Sequence, residues 1–147
     1  MINPIRTAKD RFALGFNCAQ AVFSAFASHS LISDETALKI ASMFGGGIGR
    51  QGEVCGALTG ALLALGLERG RADPDSKELD YQLVEKFMSG FKQQHGTILC
   101  RELIGHDIST KKGLHAAKES QAFKNICPII VERTAEELDR FLSESVI

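Results

Sequence analysis

The stretch from Gly45 to Leu67, GGGIGRQGEVCGALTGALLALGL, constrains this chain more than any other. Five of its first eight residues are glycines, at 45, 46, 47, 49 and 52, and they permit backbone angles and close approaches that a Cβ forbids. Past Cys55 the residues turn small and apolar, over a length that suits a buried helix. Gly56, Gly60 and Ala64 recur every four residues, so on a helix they form one smooth ridge. Glycine costs about 1 kcal/mol relative to alanine inside a helix. The sequence therefore predicts that another helix or a bound group presses on this ridge. Cys55 stands where loop becomes helix, at the positive end of the helix dipole, a position that favours a thiolate.

The rest of the chain reads as helices and turns. Pro4 to Leu14 has Pro4 suited to a first turn and an apolar face of Ile5, Ala8 and Phe12. Asn17 is an N-cap for Cys18 to about Ala27, with Ala19, Val22, Phe23 and Phe26 on one face. Ser33-Asp34-Glu35 opens a third helix, expected to run through Leu38, Ile40 and Ala41 to Phe44 and stop at the glycines. Gly66 to Ala72 reads as a polar turn. Asp73 and Pro74 then start a long helix, to about Gln94, with Leu79, Leu83, Val84, Phe87, Met88 and Phe91 as its apolar positions. Thr97 is placed to cap a short helix holding Cys100 and Leu103, closed by Gly105. His106 to Gly113 reads as a polar connector, and Leu114 to Phe123 as a short helix. Cys127-Pro128 begins the last helix, through Ile129, Ile130, Leu138, Phe141 and Leu142, with a capping-box alternative at Thr134 and Glu137 that would break it. No alternating pattern of strand length occurs. The expected fold is all-α, a single-domain bundle over 1–147 with about six or seven helices and a glycine-rich loop.

A chain of 147 residues is long enough to bury a core without staples. A formal net charge of −1 offers no basic field for nucleic acid, and no tryptophan with a single tyrosine leaves little for base stacking. The N-terminus has no unbroken apolar core or small-residue cleavage site, so it does not read as a secretory signal. The most hydrophobic run, Val54 to Leu67, is shorter than the roughly 20 residues a membrane helix needs. These features predict a cytoplasmic protein without membrane insertion. A reducing compartment argues against structural disulfides, so the cysteines read as packed thiols, ligands or redox groups.

Cys18, Cys55, Cys100 and Cys127 are separated by 37, 45 and 27 positions, and none forms a Cys-x-x-Cys pair. Local spacing thus gives neither a thioredoxin-like motif nor a zinc knuckle. What they share is context. Each falls at or near an expected helix N-terminus, and four such ends around one centre would offer partial positive charge and unpaired amides to thiolates or to an anionic cluster. Arg50 and Arg101 lie close to two of them in sequence. The glycines 45, 46, 47 and 49 are candidate backbone support for such a centre; without a Lys-Ser/Thr ending or a preceding strand they do not make a nucleotide loop. His29, His95, His106 and His115 read as solvated, with His106 the one to compare with a metal site. Glu78, Asp80 and Glu85 read as the wet face of the long helix.

Cys55-Gly56-Ala57-Leu58-Thr59-Gly60 fits a CGAxxG motif, and the chain resembles the four-cysteine family named C_GCAxxG_C_C. The resemblance covers nearly the whole chain: Gly15 to Val22 for the first cysteine, Gly45 to Leu67 for the second, Phe91 to Gly96 with Cys100 to Leu103 for the third, and Cys127 with Ile130, Val131 and Ala135 to Leu138 for the fourth. It implies a redox-active protein whose four cysteines act together, with an unknown redox partner and a link to a transporter system, since members are often encoded near transporter genes. The chemistry stays open among three readings. In the first, the cysteines exchange thiol and disulfide or transfer electrons, with Cys55 as the expected low-pKa thiolate. In the second, three or four of Cys18, Cys55, Cys100 and Cys127 ligate an iron–sulfur cluster or zinc. In the third, the chain is a helical interaction module without redox chemistry, its cysteines only packing. The ridge at Gly56 and Gly60 would serve a helix contact within the chain or in a homodimer.

Overall fold

The computed structural model describes residues 3–28 and 32–144, and these are all-α. The first helix, α1 (Pro4–Ala13), starts on Asn3, whose side chain accepts the Ile5 amide at 2.9 Å. The second, α2 (Cys18–Ala27), has a complete capping box: Asn17 Oδ1 accepts the Gln20 amide at 2.9 Å and Gln20 Oε1 accepts the Asn17 amide at 3.0 Å. Eight of its ten residues are buried, so it is apolar on every side and runs through the middle of the molecule. Around it pack α1, α3 (Asp34–Ala41), α5 (Gly56–Arg69) and α10 (Cys127–Ser143), the α2–α5 contact being the most extensive.

Between α3 and α5 lies the glycine segment, with a single-turn element α4 (Gly45–Ile48). The third helix ends at Ala41, short of the expected Phe44, because the chain must turn sharply here. From Gly46 through Arg50 five consecutive residues have positive φ, between 59° and 66°. This is a left-handed turn. Each L-residue in it, Ile48 and Arg50, costs roughly 1–2 kcal/mol, which is why the neighbouring positions are glycine. The turn is closed by the Gly52 amide on Gly46 O at 3.2 Å and the Glu53 amide on Gly47 O at 3.0 Å.

The fifth helix runs on through Gly66 to Arg69, where the sequence reads a turn. Arg69 ties that last stretch down by donating to Leu142 O at 2.7 Å. A 3₁₀ turn (Pro74–Ser76), capped by Asp73, leads into α6 (Lys77–His95), which Gly96 ends with φ +85°. Only Phe87 and Phe91 of α6 are buried; Leu79, expected on its apolar face, is half exposed because that end of the helix extends beyond the core. Then come α7 (Cys100–Ile104), α8 (Lys111–Glu119) and α9 (Ala122–Asn125). The expected single helix from Leu114 to Phe123 is thus two pieces, parted at Gln121 with φ +58°. The last helix is continuous: Thr134 is fully buried within it and no break occurs.

With α4 and α9 only four residues long, the described residues hold eight longer helices, and a lone antiparallel bridge, Val54 to Leu99, in place of any strand. None of these helices is long and apolar enough to cross a membrane. Two apolar clusters result. The larger surrounds α2; the smaller gathers Cys100, Ile104, Ile108, Ala117, Ala122 and Cys127. Ile108, in the connector read as polar, is buried there.

Candidate functional site

The four cysteines meet at the seam between these clusters. Cys55 belongs to the larger, Cys100 and Cys127 to the smaller, and Cys18 packs against both. The structure also places each at a helix start, as the sequence indicates: Cys18, Cys100 and Cys127 open α2, α7 and α10, and Cys55 is the N-cap of α5. Thr97 does not cap α7 itself; Leu99 holds that position, and Thr97 Oγ1 accepts the Leu99 amide while donating to Glu102.

Glycines set the spacing. A Cβ on Gly60 would lie 2.6 Å from Ala19 O, and one on Gly56 would lie 3.2 Å from Cys18 Cβ, so α5 rests its ridge directly on α2. The group predicted to press on Gly56 and Gly60 is therefore the α2 backbone of the same chain. A Cβ on Gly47 would sit 2.7 Å from Cys100 Cβ, and one on Gly45 would overlap Asn17, the cap that holds Cys18. Gly46 lines the cavity described below, while Gly49 packs loosely and serves the left-handed turn. Across the bridge, the Cys55 amide donates to Ile98 O at 2.8 Å and the Cys100 amide to Glu53 O at 2.7 Å. Two cysteines 45 positions apart are thereby pinned by neighbouring backbone.

All four thiols line one cavity of about 440 Å³, within the size range of small-ligand sites. Phe12, Phe123, Ile104 and Ile108 supply apolar wall, and Arg50 and Lys118 are its charged members. Arg101, the other arginine noted in the sequence, turns elsewhere and reaches Glu53 Oε1 at 3.4 Å and Gly52 O at 3.3 Å. Nothing in the sequence marked Phe12, Ile108, Lys118 or Phe123 as site residues, since only tertiary packing brings them to the thiols.

The thiols differ sharply. The Cys18 thiol hydrogen-bonds to the Cys127 sulfur; this raises the pKa of Cys18 well above its ordinary value, burial adding to the effect, and lowers that of Cys127. The Cys127 backbone amide lowers it further, against the cost of burial. Burial pushes Cys55 up to about 11, although the Ala57 and Leu58 amides pull the other way without closing a capping hydrogen bond. Burial likewise pushes Cys100 up to about 12, with the Cys55 and Cys127 charges adding to the rise. The expectation that Cys55 is the low-pKa thiolate is thus overturned: desolvation outweighs its helix N-terminus, and Cys127 takes that role. No disulfide joins any of the four.

The donor type suits iron–sulfur or zinc, but among the described residues no three His, Cys, Asp or Glu side chains are gathered closely enough to hold a metal ion. Of the histidines, His29 lies outside the described residues. His106 Nε2 meets Ser120 Oγ at 3.2 Å and is not in the cavity wall, and the exposed His115 faces Glu119 at 3.8 Å. His95 departs from the solvated reading: its ring packs on Phe91 at 4.4 Å, its Nε2 is buried without a partner, and burial and Arg133 lower its pKa.

The helical frame brings four cysteines, distant in sequence, to the wall of one cavity, a cysteine-centred site. The family pattern described as "Putative redox-active protein (C_GCAxxG_C_C)" matches residues 16–141, and the chain belongs to that family. Comparison with curated proteins and with solved structures gave no match.

Proposed function

We propose that this protein is a dithiol–disulfide exchange protein in which Cys127 and Cys18 are the reacting pair. The observation that carries this reading is that both thiols line one cavity wall, where the interaction of Cys18 with Cys127 shifts the two in opposite directions. The first ionisation belongs to the pair, which then shares the remaining proton, and the lowered pKa of Cys127 favours the charge there. Cys18, less buried as a residue than the other three, lines the same cavity.

The step balances with a disulfide as oxidant. The Cys127 thiolate attacks one sulfur of the substrate disulfide, forming a mixed disulfide and expelling the other sulfur as a thiolate, which takes up a proton. Cys18 then loses its proton and attacks Cys127 Sγ, closing the Cys18–Cys127 disulfide and releasing the second substrate thiol. The substrate gains two electrons and two protons, and the protein loses them. An external dithiol, entering by the reverse sequence, restores the pair. Cys55 and Cys100 stay protonated at neutral pH and accompany the pair as neutral thiols.

The test is trapping. On treatment of the reduced protein with a small disulfide, Cys18→Ser should stop at a mixed disulfide on Cys127, identified by mass mapping, while the natural chain proceeds to the Cys18–Cys127 bond. A trapped adduct on Cys55 or Cys100 would overturn the assignment. Stoichiometric iron and sulfide, or zinc, in protein purified without air would favour ligation instead.

A further inference from the structure

The wall of the thiol cavity holds two cations and no carboxylate. Arg50 and Lys118 come from different elements, the left-handed turn and α8, and neither makes an ion pair among those found in the described residues. Arg50 is also held at φ +64°, a conformation that disfavours any residue but glycine. Its side chain lies over Gly46, where an added Cβ would come within 2.9 Å of Arg50 Cγ. A strained backbone that brings an exposed arginine to a cavity wall shared with a lysine, with no ion pair found for either, points to an anionic ligand there.

We infer that the substrate of this site is a small anionic disulfide with an apolar body, its negative group held by Arg50 and Lys118 and its sulfurs presented to Cys127. The inference rests on the exchange reading above and names the substrate class of the same site. The cavity volume of about 440 Å³ admits a small molecule, and Phe12 and Phe123 give its body an apolar surface. Binding energy at the cations would orient the disulfide for attack, so charge recognition enters the rate and not only the affinity.

Two aromatic disulfide probes test this: dithiobis-nitrobenzoate, which is anionic, and dithiodipyridine, which is neutral at pH 7. Rates of Cys18–Cys127 bond formation in the reduced full chain are each divided by the probe's rate with a neutral free thiol. The anionic probe should be preferred by about tenfold or more, and the preference should shrink as salt rises. Arg50→Gln and Lys118→Gln should each lower that preference several-fold, and Arg50→Lys should keep most of it. Arg50→Gly removes the charge while relieving the backbone, so a fall in preference there is not a folding defect. If both probes form the disulfide with equal normalised rates, or the preference survives both cation substitutions, the anionic substrate class is wrong and the exchange reading stands. If neither probe forms the Cys18–Cys127 bond, the exchange reading falls, and this inference with it.

Discussion

Two alanine substitutions in α5, identical in chemistry, should act with opposite sign. Gly66 is exposed and nothing lies within 4 Å of the Cβ that alanine would add, so Gly66→Ala should gain about 1 kcal/mol of helix propensity. At Gly60 the same carbon would lie 2.6 Å from Ala19 O, 3.0 Å from Ala19 Cα and 3.2 Å from its carbonyl carbon. All three are backbone atoms of the central helix, with no flexible side chain to swing aside. To reach an ordinary contact of 3.4 Å, α2 and α5 must part by about 0.8 Å. Overpacking of this kind costs about 1–3 kcal/mol, against about 1 kcal/mol returned by the alanine, so Gly60→Ala should lose up to about 2 kcal/mol. The assay is urea unfolding of both variants under reducing conditions, read as midpoint shifts at unchanged slope. Because Ala19 follows Cys18, the same parting should slow alkylation of Cys127 in Gly60→Ala and leave it unchanged in Gly66→Ala. A Gly60→Ala variant as stable as Gly66→Ala would refute the close α2–α5 contact and the account of how Cys18 is placed.

The Cys127 thiol should alkylate ahead of the other three, with an apparent pKa below the ordinary thiol value. Cys18→Ala removes the hydrogen bond that lowers it and should move the rate profile to higher pH, whereas an unmoved profile would assign the shift to something else. Stability should fall above pH 9, because the unfolded chain ionises Cys55 near 9.0 while the folded chain keeps that proton to about 11. The unfolded state then binds fewer protons between those values, and the loss amounts to about 3 kcal/mol when complete. Unfolding free energies of the natural chain and Cys55→Ala measured from pH 8 to 11 should diverge in slope; parallel curves would contradict the buried, neutral thiol.

How much of this was legible in the sequence depended on how local the signal was. Asn17, Ser33 and Pro128 act on amides or angles within a turn of themselves, and the helix starts they mark are where the structure has them, whereas Asp73 caps a 3₁₀ turn that precedes the long helix. The Gly56 and Gly60 ridge was readable because a helical glycine must be explained by a neighbour, although its neighbour, Ala19, was not. The left-handed run through Ile48 and Arg50 was hidden, since glycine-rich sequence announces freedom and not which angles are taken. Gln121 was hidden too, because a non-glycine residue gives no local sign that it will take φ +58°. The error at Cys55 is instructive. A helix N-terminus is visible in sequence and favours the anion, whereas burial is not visible and here outweighs it.

The difference between Cys55 and Cys127 then follows from packing rather than from helix geometry, since both stand at helix starts facing one cavity. Each is nearly inaccessible, at 6% and 8% of its surface. What Cys127 has in addition is a thiol donor, and that donor is supplied by α2 because α5 is glycine where it crosses α2. The CGAxxG motif therefore bears on the chemistry at two removes. Gly56 and Gly60 admit α2, α2 carries Cys18 to the seam, and Cys18 gives Cys127 the hydrogen bond that favours its thiolate. On this account the motif's glycines are positioning residues for a cysteine elsewhere in the chain, and its own cysteine, like Cys100, stays neutral.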